Sequence, residues 1–200
     1  KIGLKQFVDF SLHPHWSLST LFKGIPEPKN FRYGSENRFD RNASRAGANW
    51  EFLDALREKW KGNLIIKGIM DTDDASRVQN AGVDAIWVSN HGGRQLDSSP
   101  PALSALPKIR NTVGPNMPII FDSGARNGED VVKALALGAN FVMLGRPIMM
   151  ALAASSKKGL NDYLSLLKDE IGVVMAQLGI NDLEKISGDV LYDGISKNIR

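Results

Sequence analysis

A histidine and an arginine stand three residues apart in the run Ser89-Asn90-His91-Gly92-Gly93-Arg94-Gln95-Leu96-Asp97, directly after the short apolar stretch Ala85-Ile86-Trp87-Val88. An imidazole titrates near neutrality and can accept a proton, and a planar guanidinium grips a carboxylate through two parallel hydrogen bonds. The pair therefore fits chemistry on a small carboxylate, with His91 as base and Arg94 holding the anion. Taken alone, His91 has a structural reading. Its place between Asn90 and two glycines, with Arg94 on the same turn, favours the catalytic one.

Other polar residues share that placement just past an apolar run. Lys67 follows Leu64-Ile65-Ile66, the loop Asp122-Ser123-Gly124-Ala125-Arg126 follows Pro118-Ile119-Ile120-Phe121, and Gly145-Arg146 follows Phe141-Val142-Met143-Leu144. Each has an ordinary alternative, as a solvated rim lysine, a turn with a helix cap, or a strand end. Their common position is what packing alone does not require. In parallel α/β folds the carboxyl ends of the strands carry the active site, and in closed barrels the last two such loops often hold a phosphate. Glycines that let backbone N–H groups approach, a helix after the first loop and two arginines make an anion site there the expectation. His13 and His15 flank Pro14 without a carboxylate cluster, so they read as structural and no metal site is assigned.

The elements that must position these groups follow from periodicity. A helix is expected within residues 1–22, with a stop at His13-Pro14, then a long basic loop over 23–49 dense in Gly, Pro, Asn and charge. Strand and helix alternate over 50–159: helices near 50–60, after Asp71, near 101–112 and from Gly128 to Leu137, and strands at 64–67, before Ser89, at 118–122 and at 141–145. Each strand is a nearly continuous apolar run, as expected of parallel strands buried on both faces. A final helix over about 160–178 carries Leu160, Leu164, Leu167, Ile171, Val174 and Leu178 as one stripe for packing on the sheet. Met149 and Met150 read as core filling. The fold expected is α/β, with all 200 residues in one domain.

Composition restricts the function classes. At 42% hydrophobic and 24% charged residues the chain is an ordinary globular protein rather than a disordered one. The +3 net charge is uneven, with eight Lys/Arg against four Asp/Glu in residues 1–46, yet too sparse for a nucleic-acid-binding stripe. With no cysteine there is neither disulfide nor thiolate metal site. No leader or membrane span is legible, so a cytoplasmic protein is expected, with peripheral attachment to the inner face of a membrane as the weaker alternative.

These motifs, together with Ile65-Ile66-Lys67-Gly68-Ile69, Lys133-Ala134-Leu135-Ala136-Leu137-Gly138-Ala139 and His13-Pro14-His15-Trp16-Ser17, resemble the FMN-dependent α-hydroxy acid dehydrogenases and oxidases. That family includes mandelate and L-lactate dehydrogenases and glycolate oxidase. The resemblance implies a (β/α)8 TIM barrel, of which this chain holds about four βα units and so looks like the carboxyl-terminal half. It implies oxidation of a small L-2-hydroxy acid to the 2-oxo acid, with His91 as active-site base and Arg94 on the substrate carboxylate. Lys67 would lie beside the N1/O2 edge of FMN and Ser89 would contact the flavin. Asp122, Ser123, Gly124, Ala125 and Arg126 would contact the ribityl and phosphate groups, with Gly145 and Arg146 closing on the phosphate. Gly93 leans toward the dehydrogenases, since the oxidases usually carry alanine there.

Other parts of the family pattern are missing: the amino-terminal flavin contacts, two tyrosines, the aspartate that pairs with the base, and a second arginine. The loop 30–49 is also shorter than in membrane-bound members. Expected partners are therefore a 2-hydroxy acid, an electron acceptor that the sequence does not identify, and either the missing half or further copies in a homo-oligomer. Two rival readings are a non-catalytic half-barrel that binds flavin phosphate or self-associates, and a phosphosugar or nucleotide barrel enzyme without flavin.

Overall fold

A computed structural model describes residues 3–24 and 48–192. The chain forms two compact units, Lys1–Gly47 and Ala48–Arg200. In the first, helices α1 (Leu4–Leu12) and α2 (Pro14–Lys23) meet at His13. Pro14 ends one helix and opens the next because it needs no intrahelical donor in a first turn. The break is closed by Ser17 Oγ, which donates to the Phe10 carbonyl at 2.7 Å, and by Phe10 against Trp16 at 5.4 Å between ring centroids. Most of the basic loop expected at 23–49 lies outside the described residues, as does the end of the tail.

The second unit runs α3 (Trp50–Lys59), β1 (Ile65–Ile69), α4 (Thr72–Asn80), β2 (Ala85–Val88), α5 (Ala102–Val113), β3 (Ile119–Phe121), α6 (Gly128–Ala136), β4 (Phe141–Val142) and α7 (Arg146–Gln177). The four strands form one parallel sheet in the order β1-β2-β3-β4. Local chemistry fixes the helix starts. Asp71 caps α4 by accepting from the Asp73 and Asp74 amides, and Asn49 and Asn127 cap α3 and α6 in the same way.

Among the described residues of this unit, the sheet is covered on one face only. Ile86 and Val88 of β2 and Ile119 and Phe121 of β3 are buried in one cluster with Val78, Leu106 and Ile109 from the helices. Their neighbours point the other way: Lys67, Trp87, Ile120 and Phe141 are register partners across the four strands. That second face is open, with Ile65 45%, Phe141 59% and Met143 38% exposed. Burial of the strands on both faces is therefore corrected. Right-handed crossovers put α4, α5 and α6 on the same side, and four strands do not close around the other.

Two further expectations are corrected at the end of the chain. Arg146–Gln177 is two helices joined across a kink at Ser155 and Ser156, so the last helix begins beyond Ser156, close to the expected 160, with a further helix over 146–154 ahead of it. Gly145-Arg146-Pro147 is thus a helix entry, with proline in its first turn. The apolar stripe of α7 packs on α6 rather than on the sheet: Ile171 and Val174 join Val132, Ala136 and Ile186 in a separate cluster. The contact is close enough that a Cβ on Gly128 would lie 2.4 Å from the Ile171 nitrogen, so only glycine fits. Met149 and Met150, expected in the core, are 68% and 67% exposed.

At the amino ends of the strands, Arg110 ties the structure together by donating to the carbonyls of Gly138, Gly114 and Met117 and to Asn140 Oδ1, at 2.6–2.9 Å. The Asn140 oxygen also accepts from the Ile119 amide at 2.8 Å, which links the α5 guanidinium directly to β3.

Candidate functional site

At the carboxyl edge of the sheet, β1 supplies Lys67. Its Nζ lies 2.8 Å from Asp122 Oδ2, donates to Ser89 Oγ at 2.5 Å and sits over the Trp87 ring at 4.6 Å. An ammonium with a carboxylate, a hydroxyl and an aromatic face around it is fixed in direction. Burial, the largest influence on Asp122, raises its carboxyl. Hydrogen bonds from Lys67, Ser89 and Ser123 and the Lys67 charge together outweigh burial and hold the group below its ordinary value. Asp122 therefore acts as an ionised acceptor.

The segment after β2 folds into a tight 3-10 turn, His91–Gly93, capped by Asn90, whose Oδ1 accepts from the Gly92 and Gly93 amides at 3.0 and 3.2 Å. His91 itself is left-handed, with φ 58°. A non-glycine residue held there stores strain of about 1 kcal/mol or more, which the surrounding bonds must offset. The ring rests on β1: a Cβ at Gly68 would come within 3.0 Å of the imidazole Cε1. Gly68 has φ 99° and marks a shift of register between Lys67 and Ile69. One glycine thus turns Ile69 back into the core and leaves space for the histidine.

The loop after β3 is anchored from several directions. Arg126 N–H donates to Asp130 Oδ2 at 2.9 Å, Gly128 N–H donates to Glu170 Oε2 at 2.8 Å, and Tyr163 on α7 donates to the Arg126 carbonyl at 2.9 Å. Burial first, then the charges of Glu170 and Asp130, raises the Tyr163 phenol above its ordinary value and keeps it a donor. Two of the first amides of α6, those of Gly128 and Asp130, are thus taken by the protein's own side chains. Gly124 and Ala125 make no hydrogen bond among the described residues, and α7 begins without a side-chain cap at Gly145. The available amides therefore lie in the loop itself and at the start of α7.

These groups surround one cavity of about 370 Å³, bordered by Lys67, His91, Arg94, Asp122, Ser123, Gly124, Ala125, Arg126, Gly145 and Arg146. Ten of the eleven residues singled out from the sequence meet there. The eleventh, Ser89, is buried beneath, between Lys67 Nζ and the His91 amide, which donates to its Oγ at 3.1 Å. Arg146 reaches across to donate to the Gly92 carbonyl at 3.2 Å. Gly68, Trp87, Gln95, Met143, Pro147 and Met149 escaped sequence reasoning as parts of the site. Only Gly68 carried a signal, a glycine inside a strand pattern. Four cationic side chains, Lys67, Arg94, Arg126 and Arg146, face one carboxylate in the lining, so the cavity suits an anion.

The fold and this site define an α/β protein with a four-stranded parallel sheet and a cation-lined cavity at its carboxyl edge, and the comparisons with known proteins identify its kind. The family of FMN-dependent dehydrogenases matches residues 1–193. The chain belongs to that family. It is 39% identical to (S)-mandelate dehydrogenase of Pseudomonas putida over 94% of its own length and 49% of that protein's. It is 37% identical to L-lactate dehydrogenase of Acinetobacter baumannii, over 98% of this chain and 54% of that one. The crystal structure of the monotopic membrane protein (S)-mandelate dehydrogenase superposes with a TM-score of 0.85 at 37% identity, covering 96% of this chain and 53% of that one. A mandelate oxidase mutant with the monooxide FMN adduct gives a TM-score of 0.65 at 40% identity, covering 72% and 44%. The chain spans about half the length of the curated relatives it matches. Among the described residues, no helix is long and apolar enough to cross a membrane.

Proposed function

We propose that this chain is the phosphate-binding, base-carrying half of an FMN-dependent 2-hydroxy acid dehydrogenase, which oxidises an L-2-hydroxy acid of the lactate, mandelate or glycolate type to its 2-oxo acid. The observation that carries the reading is the single cavity that gathers Lys67, His91, Arg94, Arg126 and Arg146 at the carboxyl edge of a parallel sheet. The cradle fits a flavin phosphate. Built Cβ atoms at Gly124 and Gly145 meet nothing within 4 Å, so the backbone there is open to a dianion, flanked by Arg126 and Arg146.

FMN, when bound, supplies the two-electron acceptor. The chain's own residues do the remainder. His91 takes a proton from the substrate and Arg94 orients the carboxylate. Lys67, already aimed by Asp122 and Ser89, offers positive charge where the flavin ring gains negative charge on reduction. Asp122 and Ser123 border the ribityl region, with Gly124, Ala125, Arg126, Gly145 and Arg146 around the phosphate.

The open apolar face supports a second element of the reading, that the site is completed by further strands, either an amino-terminal half-barrel from a longer chain or a second polypeptide, or a second copy of this chain. Visible spectra of the full chain after addition of FMN and removal of the excess test the whole. The same spectra are taken with a relative's amino-terminal half co-expressed, followed by anaerobic lactate, mandelate and glycolate. Retained flavin that bleaches with one of the acids is expected. His91→Ala should slow bleaching by about 10²- to 10⁴-fold with flavin still bound. Flavin retained in neither setting would overturn the proposal.

A further inference from the structure

The Ser123 side chain joins the loop after β3 to the turn that carries His91. Its Oγ donates to Asp122 Oδ1 at 2.7 Å and accepts from the Asn90 and Gly92 amides at 3.2 and 3.1 Å. The Ser89 hydroxyl lies 3.2 Å away. Ser89 in turn accepts from the His91 amide, so the amides on both sides of His91, and His91's own, end on two neighbouring serine oxygens. A serine side chain has a single donor, and here it is spent on an ionised carboxylate. The oxygen is left as the acceptor for the turn, in one defined orientation.

The backbone makes the arrangement costly. Ser123 has φ 81° and His91 φ 58°, two of the three described non-glycine residues with positive φ, and they sit on facing loops joined by these bonds. Glycine would occupy the Ser123 position without strain. A strained serine persists where its hydroxyl makes up the difference, and strain of this kind concentrates at functional sites.

We propose that Ser123 is a positioning residue. Its hydroxyl locks the His91 turn to the phosphate loop, so that anion binding in the loop and presentation of the imidazole become one event. The proposal rests on the phosphate-site reading above for its second half and on hydrogen bonds alone for its first. Ser123→Ala removes the oxygen and keeps the strain, and Ser123→Gly removes both, so two variants separate loss of the lock from loss of fold.

The test is amide hydrogen exchange on the full chain, with and without inorganic phosphate. In both variants exchange at Asn90 should speed up by about tenfold, the scale of one lost hydrogen bond, and at Gly92, whose amide keeps its bond to Asn90 Oδ1, by less, while Ile86 and Val88 in β2 keep their rates. In the parent, phosphate should slow the amides of 124–126 and those of Asn90 and Gly92 together. In the variants it should slow only 124–126. Unchanged exchange at Asn90 and Gly92 in both variants overturns the lock. Equal slowing of the turn by phosphate in parent and variants overturns the coupling. If phosphate slows nothing at 124–126 in the parent, the phosphate site and the coupling both fall, and the variants' basal rates still decide the lock.

Discussion

The two faces of the sheet are built from alternate residues of the same strands, yet they are in different states of completion. On the helix face every apolar side chain meets partners from this chain: Ile119, Ile86 and Leu106 are fully buried in one cluster. On the other face Ile65, Phe141 and Met143 stay in solvent, and Trp87 buries its indole Nε1 with no hydrogen-bond partner among the described residues. The comparison teaches where stability and chemistry reside. The covered face holds the chain together, while the open face and the edge above it carry Lys67, Asp122 and the cavity.

That contrast can be broken most directly through Ile119. Ile119→Ala should cost roughly 2–5 kcal/mol, because a fully buried side chain leaves a cavity as well as losing its transfer energy. Urea unfolding of the full chain measures it, and a cost below about 1 kcal/mol would mean that the helix face is not the core.

A pH series sharpens the comparison at the edge. Asp122 is depressed in the folded state, so its contribution is fully present above the ordinary carboxylate value near 4 and is lost as pH falls through the lower folded value. Asp122→Asn should therefore be less stable than the parent at neutral pH, with the gap closing below about pH 4. A gap that stays constant down to pH 2 would show that the Lys67 pair contributes no linkage.

The smallest effect belongs to the open face. Ile65→Thr should change the stability of the chain by no more than about 0.5 kcal/mol, as at other exposed positions. In a completed barrel the same substitution should become distinctly destabilising, so the difference between the two settings measures how much of the face is covered.

The sequence pattern located all four strands and the site edge because apolar runs, caps and terminal polar bursts are local signals. Asp71 before Asp73 and Asp74 announced its helix correctly. What was not legible is what lies against a side chain. The runs at 64–67 and 141–144 are apolar whether one face or two is covered. The stripe from Leu160 to Leu178 has helical spacing whether it meets a sheet or α6, and Met149 looks like core filling until the cavity beside it is known. Ser123 was recognised as a loop residue near phosphate. Its hold on the His91 turn depends on a neighbouring strand 33 residues away from Asn90 in the chain, and no spacing rule reports that.

The strict strand order β1-β2-β3-β4 also bears on how the molecule is made. Every strand pairs only with those next to it in the chain, so no pairing has to wait for a distant segment. During synthesis, each βα unit can dock on its predecessor as it leaves the ribosome, once its own crossover has closed. The same order leaves two outer strands, β1 and β4, without a second neighbour among the described residues, and each is an edge on which further strands can add to complete the ring.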